Sequence, residues 1–160
     1  MPLFVQRYLI LVGGAAFAGA VLHIAILFGG PDWYAAFGAP RRLVDMARAG
    51  SLRPAISCVV IAAALSVLAA YAFSGAGRMR RLPLLRPVLA LSASILILRG
   101  LLFIPLILWS PATLTRICDC QRVDFFIVST SLLCLTLGIG LGLGALHARA
   151  RVGAATTANL

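Results

Sequence analysis

The sequence predicts an all-α polytopic membrane protein: a bundle of four transmembrane helices, with a short amphipathic interfacial helix between the first and the second. Hydrophobic residues make up 62% of the 160-residue chain and charged residues only 11%, with a mean hydropathy of +1.05. Soluble domains average about 45–50% apolar and about 25% charged residues. In addition, the apolar residues of this chain are gathered into four long runs.

The four runs cover residues 8–28, 54–73, 88–109 and 125–146. Each has the length of about 20 residues that a helix rising about 1.5 Å per residue needs to cross a ~30 Å hydrocarbon core. Backbone polar groups in lipid must be satisfied internally, so helices are the expected conformation. We expect residues 1–151 to form a single transmembrane domain and residues 152–160 to form a disordered tail.

The first run could also be interpreted as a signal peptide. Arg7 precedes an apolar stretch, and Ala18-Gly19-Ala20 has the small residues of a cleavage site. The apolar run nevertheless continues past that site to Phe28, which favours a retained span.

The connection between the first two spans, residues 29–53, is long for a helical bundle, and we name it the lid. A short amphipathic helix is expected from Pro40 to Ala49, with Gly50 as its C-terminal stop. Aromatic residues suited to a membrane interface precede it: Trp33, Tyr34 and Phe37. The lid is therefore expected to lie flat on the outer surface of the membrane.

The net charge of +10 does not indicate a nucleic-acid partner, because the arginines lie mainly at the edges of the apolar runs, where they meet lipid head groups. With both termini in the cytoplasm, that side would carry Arg7, Arg78, Arg80, Arg81, Arg86, Arg149 and Arg151. The outer side would carry Arg41, Arg42, Arg48, Arg53, Arg116 and Arg122. This excess of one arginine favours cytoplasmic termini. The dense basic turn "SGAGRMRRLPLLRP" favours them too, as a segment that binds anionic lipid head groups.

Three segments carry a family resemblance: "GGPDWYAAFGA", "SGAGRMRRLPLLR" and "ILRGLLFIP". Together they resemble a family of small four-span bacterial inner-membrane proteins, over roughly residues 20–105. The resemblance implies the four-span fold and a location in the bacterial inner membrane. It implies no biochemical role.

Arg99 is the most costly side chain in the sequence, because it lies near the middle of the third run. A charge at that depth costs roughly 2.5–3.5 kcal/mol, and such residues usually face the interior of the bundle. It would bind an anion in an internal cavity, brace the helices through a carbonyl or an acid, or snorkel towards the membrane surface. Pro105, by removing a helical hydrogen bond to Leu101, would leave an acceptor nearby.

The other candidate ligand-binding residues lie toward the outer side. His23 is inside the first span, either as a packing residue or as a residue that supplies a hydrogen bond to a ligand. Asp32 and Asp124 lie at span boundaries and could pair with Arg99. The lid would supply the rim of an outward-facing cavity through Trp33, Tyr34, Arg41 and Arg42.

Two further motifs suggest other roles. Cys118 and Cys120, in a short "CDC" loop, could form a redox pair or bind a soft metal, although no further cluster of ligands accompanies them. The fourth run carries glycines at alternate positions, which allow close helix packing inside one bundle or against a second copy or another membrane protein: Gly138, Gly140, Gly142 and Gly144.

The sequence thus favours a non-enzymatic integral membrane protein that binds a lipid or a small amphiphilic or anionic ligand, with no cofactor and no resident metal. Two alternatives remain open. The protein could be a membrane scaffold or an accessory subunit, or it could be a thiol-redox enzyme that uses Cys118 and Cys120.

Overall fold

The computed structural model describes residues 2–109 and 125–157, with the backbone alone for residues 103–108, 125–127 and 149–157. The described residues form six helices and no strand. We number them in chain order: α1 (Leu3–Gly29), α2 (Pro31–Ala36), α3 (Arg41–Arg48), α4 (Arg53–Gly75), α5 (Leu85–Trp109) and α6 (Phe125–Thr157).

Four of these helices are long and apolar enough to cross a membrane, and they contain the four predicted runs: α1, α4, α5 and α6. They indicate an integral membrane protein. Each helix extends beyond its predicted run. The difference is greatest for α6, which is helical to Thr157 and includes most of the segment that we expected to be a disordered tail. Residues 158–160 lie outside the described part of the chain.

The lid contains the predicted amphipathic helix, α3, and one additional turn of helix, α2. Pro31 stands in the first turn of α2, where its missing amide hydrogen costs nothing. Pro40 precedes α3, and Gly50, just beyond its end, has φ +73°, a left-handed conformation that favours glycine. The predicted start and stop of this helix are therefore confirmed.

The spans pair antiparallel as α1 with α4 and α5 with α6. Small side chains allow the helices to approach closely: Gly13 of α1 lies against Phe73 of α4, and Gly19 against Leu65. Many large apolar side chains instead point away from the bundle, among them Leu11, Phe17, Val60 and Leu98. Because lipid is as apolar as leucine, helices in membranes associate through small residues and close packing.

All four spans share one core near the end of the bundle where α4 ends and α5 begins. Leu9, Leu89 and Leu141 are fully buried there, with small residues around them. The Tyr8 hydroxyl of α1 donates a hydrogen bond to the Thr136 carbonyl of α6 at 2.8 Å, which ties the two helix pairs together.

The glycines of α6 pack within the chain on two neighbouring helices. Gly138 faces Ala93 and Ile97 of α5, whereas Gly140 and Gly144 face α1. Gly138, Gly140 and Gly144 are buried and Gly142 is half-buried. These contacts correspond to the first of the two predicted uses of the stripe, packing inside one bundle.

Candidate functional site

The bundle has two ends with different chemistry. The lid end carries α2 and α3, and the loop end carries the start of α1, residues 76–84 and the C-terminal half of α6. The candidate ligand residues predicted from the sequence belong to the lid end or to the middle of the third span.

His23 is half-buried in α1, and its Nδ1 lies 2.8 Å from the carbonyl oxygen of Gly19, one turn earlier. A carbonyl oxygen only accepts, so Nδ1 carries the hydrogen and donates it. One ring nitrogen is thus used within the helix, and Nε2 remains for other contacts.

Tyr34 anchors the lid. Its side chain is 6% exposed and packs against Ile26 of α1, Val44 of α3 and Cys58 of α4. Burial raises the pKa of Tyr34 to about 12, and a hydrogen bond with the Cys58 thiol adds to the shift. Tyr34 therefore fastens three helices together at this end of the bundle.

Trp33 and Asp32 lie on the outer face of the lid. The indole of Trp33 packs directly on Gly29, and its ring centroid lies 5.8 Å from that of Phe37. The Asp32 carboxylate is 94% exposed and lies 3.9 Å from the Arg48 guanidinium. An exposed pair at this distance contributes little stability.

Arg41 and Arg42 are exposed along α3 and line an open groove of about 540 Å³ together with Asp45, Met46 and Ala49. The groove lies on the lid itself. The structure does not bring Arg99 or His23 into its walls.

Arg99 lies on the exposed side of α5, next to the buried Gly100. Gly100 faces the neighbouring helix: a side chain there would meet Leu135 and the carbonyl oxygen of Ser131 of α6. The face of α5 that carries Gly100 is therefore the face turned toward the bundle. Arg99 lies thirteen positions after Arg86, which corresponds to about 20 Å along the helix axis.

The cysteine pair lies outside the described residues, as does Asp124. The redox hypothesis on Cys118 and Cys120 therefore stays a prediction. Within the described residues, Cys58 and Cys134 are free thiols on different helices.

The loop end holds a larger and better enclosed cavity, with a volume of about 610 Å³. This lies within the range of about 300–1,000 Å³ that is typical of small-molecule sites. All four spans and the connecting loop contribute to its walls. The polar side chains that line it are Gln6, Ser74, Arg81, Arg86 and His147, and the apolar ones include Met79, Leu82, Leu84, Leu85 and Pro87.

The loop that carries Arg81 is held in place by hydrogen bonds from α4. The buried Ser74 hydroxyl donates to the carbonyl oxygen of Arg80 at 2.9 Å and accepts from the amide of Leu82 at 3.0 Å. The Tyr71 hydroxyl donates to the carbonyl oxygen of Pro83 at 3.1 Å. These contacts fix the backbone on both sides of Arg81, so the cavity wall is preformed.

Leu84 closes this loop in an unfavourable backbone conformation. Its φ is +54°, in the left-handed region that non-glycine residues seldom adopt, and its side chain is 72% exposed. The turn places an apolar side chain at the edge of the cavity, directly before the first turn of α5. Such strain persists only where surrounding contacts enforce it, and here the bonds to Ser74 and Tyr71 supply those contacts.

His147 closes the cavity from the side of α6. Its Nδ1 lies 2.8 Å from the carbonyl oxygen of Leu143, to which it donates, so the ring orientation is fixed by its own helix. Together with Gln6 of α1, it adds hydrogen-bonding groups to the wall that the two arginines also line.

The loop end is cationic throughout. Seven arginines of the sequence belong to it, while all four aspartates belong to the lid or to residues 119–124. Arg78, Arg80, Arg81 and Arg86 are all exposed, but of these four only Arg81 and Arg86 line the cavity. The arrangement is suited to an anionic group held against an apolar surface.

Searches of protein-family models, of curated proteins and of solved structures find no match for this chain. The resemblance to a bacterial inner-membrane family therefore stays an expectation from the sequence, and the site is interpreted from its own chemistry.

Proposed function

We propose that this integral membrane protein binds an amphiphile whose head group carries an anionic group, and that the site is the loop-end cavity. The observation that carries the proposal is the preformed cavity of about 610 Å³ with Arg81 and Arg86 in an otherwise largely apolar wall. Guanidinium groups bind phosphate and carboxylate oxygens through paired hydrogen bonds. The apolar residues beside them suit the hydrocarbon part of the ligand.

The same end of the protein is proposed to face the cytoplasm. Its arginines have no acid among them, and cytoplasmic segments of membrane proteins carry the excess of lysine and arginine. The cytoplasmic leaflet also has the negative surface potential that would concentrate an anionic amphiphile there. Localisation in a bacterial inner membrane is part of this proposal and rests on the resemblance described above.

This site differs in position from the outward-facing cavity that the sequence suggested. At the lid end, Tyr34 is buried and Trp33 packs on Gly29 at the outer face of the lid. Arg99 lines neither the groove on α3 nor the loop-end cavity. The ligand class is the one that the sequence suggested, a lipid or anionic amphiphile, but the residues proposed to bind it are different.

The test is the amount of lipid that remains bound after purification in mild detergent, measured by native mass spectrometry. Replacing Arg81 and Arg86 together with Gln is expected to remove most of the bound amphiphile. Replacing Arg78 and Arg80 together with Gln removes the same amount of charge from the same end of the bundle and should leave the bound amount unchanged. Equal losses in both double variants would show a general surface attraction and would contradict a site in the cavity.

A further inference from the structure

The geometry points to a phosphate head group without an ammonium group as the ligand of the loop-end cavity, an inference that rests on the proposed function. The relevant lipids are those such as phosphatidylglycerol and phosphatidate. Phosphatidylethanolamine and phosphatidylcholine, which carry a cation beside the phosphate, should be disfavoured.

The charge pattern of the cavity supports this selection. Among the described residues that line the cavity are two arginines, a glutamine and a histidine, but no acid. The two arginines can donate to phosphate oxygens, and the Gln6 amide can donate to a phosphate or to a hydroxyl. An ammonium group in the same space would lie beside two guanidinium groups with no carboxylate to pair with. This penalty should disfavour zwitterionic head groups by at least about tenfold in affinity, equivalent to about 1.4 kcal/mol.

The backbone at the start of α5 adds to the selection. The first amides of any helix have no acceptor within the helix, and they favour an anion. Leu85 and Arg86 begin α5 at the wall of the cavity, whereas Pro87 has no amide hydrogen to donate. The phosphate is therefore expected to lie near Arg86, and the apolar part of the ligand near Leu84 and Met79.

The apolar residues of the wall also distinguish a lipid from a soluble phosphate compound. Inorganic phosphate can bind the arginines, but it gains nothing from Met79, Leu82 or Leu84. A lipid gains from both kinds of surface, because burying apolar area contributes about 25 cal/mol per Å². We therefore expect the lipid to bind more tightly than the free ion.

The experiment measures binding of fluorescent-chain lipids to the full-length protein in nanodiscs of uncharged lipid, one head group at a time. Phosphatidylglycerol and phosphatidate are expected to bind at least about tenfold more tightly than phosphatidylethanolamine and phosphatidylcholine. The Arg81→Gln/Arg86→Gln variant should lose this preference, and Arg78→Gln/Arg80→Gln should keep it. The Arg81→Lys/Arg86→Lys variant keeps the charge and should retain part of the preference. Its binding would show that the loss in Arg81→Gln/Arg86→Gln comes from the missing positive charge and not from a failure to fold.

Three other results of this experiment would overturn different parts of the proposal. Equal affinity for phosphatidylethanolamine and phosphatidylglycerol, abolished by Arg81→Gln/Arg86→Gln, would overturn the head-group selection while leaving the proposed function intact. Displacement of phosphatidylglycerol by millimolar inorganic phosphate would overturn a lipid occupant in favour of a soluble phosphate compound. Binding of no lipid, or binding unaffected by Arg81→Gln/Arg86→Gln, would overturn the site itself.

Discussion

The buried hydroxyl of Ser74 accepts a hydrogen bond from the amide of Leu82 at 3.0 Å, eight residues further along the chain. The same hydroxyl donates to the carbonyl oxygen of Arg80 at 2.9 Å. One side chain at the end of α4 thus holds the backbone on both sides of Arg81. The position of that arginine at the cavity depends on a residue that has no charge.

Replacing Ser74 with Ala is therefore expected to loosen the loop. The two lost hydrogen bonds should cost about 1–3 kcal/mol of local stability. Limited digestion with trypsin, which cleaves after Arg78, Arg80 and Arg81, should become several-fold faster, and less lipid should be retained. Ser94→Ala is the matched control, because Ser94 bonds only to the Ala90 carbonyl of its own helix at 2.9 Å. Equal digestion rates in the two variants would contradict the role given to Ser74.

The docking of the lid should weaken at alkaline pH through Tyr34. Its pKa is raised from 10.0 to about 12 in the folded protein. Below pH 10 the phenol is protonated in both states. Between about pH 10 and 12 the phenol ionises in the undocked state but stays protonated in the docked state. The free energy that holds the lid in place therefore falls as pH rises. Two pKa units correspond to about 2–3 kcal/mol.

Fluorescence of Trp33 in a Trp109→Phe background should report this transition, since Trp33 adjoins Tyr34 on the lid. The alkaline change should disappear in Tyr34→Phe, which cannot ionise. The absorbance of tyrosinate should be followed against pH in the parent and in Tyr34→Phe. The difference between the two curves is the titration of Tyr34. A midpoint near pH 10 would show that the ring is not buried against Cys58.

Close packing between α5 and α6 should make Gly138 intolerant of a side chain. An added Cβ would lie 2.8 Å from the Ile97 Cγ1, 3.0 Å from its backbone nitrogen and 3.1 Å from the Ala93 carbonyl oxygen. Gly138→Ala should therefore destabilise the protein by about 1–3 kcal/mol. Gly142→Ala is the control, because its Cβ would meet only the Ala93 Cβ at 3.8 Å. The check is the thermal midpoint in detergent, and a midpoint for Gly138→Ala no lower than that for Gly142→Ala would contradict this packing.

Arg99→Leu is expected to leave lipid binding at the loop end unchanged. Arg99 lies on the exposed side of α5, about 20 Å along the helix from Arg86. Native mass spectrometry of this variant checks this expectation. Loss of the bound lipid, with Arg81 and Arg86 intact, would contradict the loop-end site and favour the outward-facing cavity with Arg99 that the sequence suggested.

The spans and the lid helix could be predicted because each has a local signal. Length and hydropathy mark the four spans, and the alternation of apolar and charged residues between Pro40 and Gly50 marks α3. The positions of the helix ends depend on contacts and loop geometry, so α1 and α6 extend further than their apolar runs.

The side of α5 that faces the other helices could not be predicted from the sequence. This helix carries apolar residues on all sides in addition to Arg86 and Arg99, so its sequence gives no amphipathic signal to show which side meets the other helices. Gly100 marks the inward side by its small size, which is how helices pack in membranes, and the neighbouring Arg99 then lies on the exposed side.

Only part of the loop-end cavity could be predicted from the sequence. The basic turn, residues 74–87, was recognised as a segment that binds lipid head groups. Its partners Gln6 and His147 lie far away along the chain and have no distinctive sequence motif. Their contribution follows only from the antiparallel packing of α1 and α6 against the ends of α4 and α5.

The location of the ligand can be measured directly with a phospholipid that carries a photoreactive group in its head. After irradiation in nanodiscs, mass spectrometry identifies the labelled residues. Labelling within residues 74–87, reduced in Arg81→Gln/Arg86→Gln and retained in Arg78→Gln/Arg80→Gln, is the predicted result. Labelling confined to the lid, residues 29–53, or labelling equal in both double variants, would contradict a binding site at the loop end.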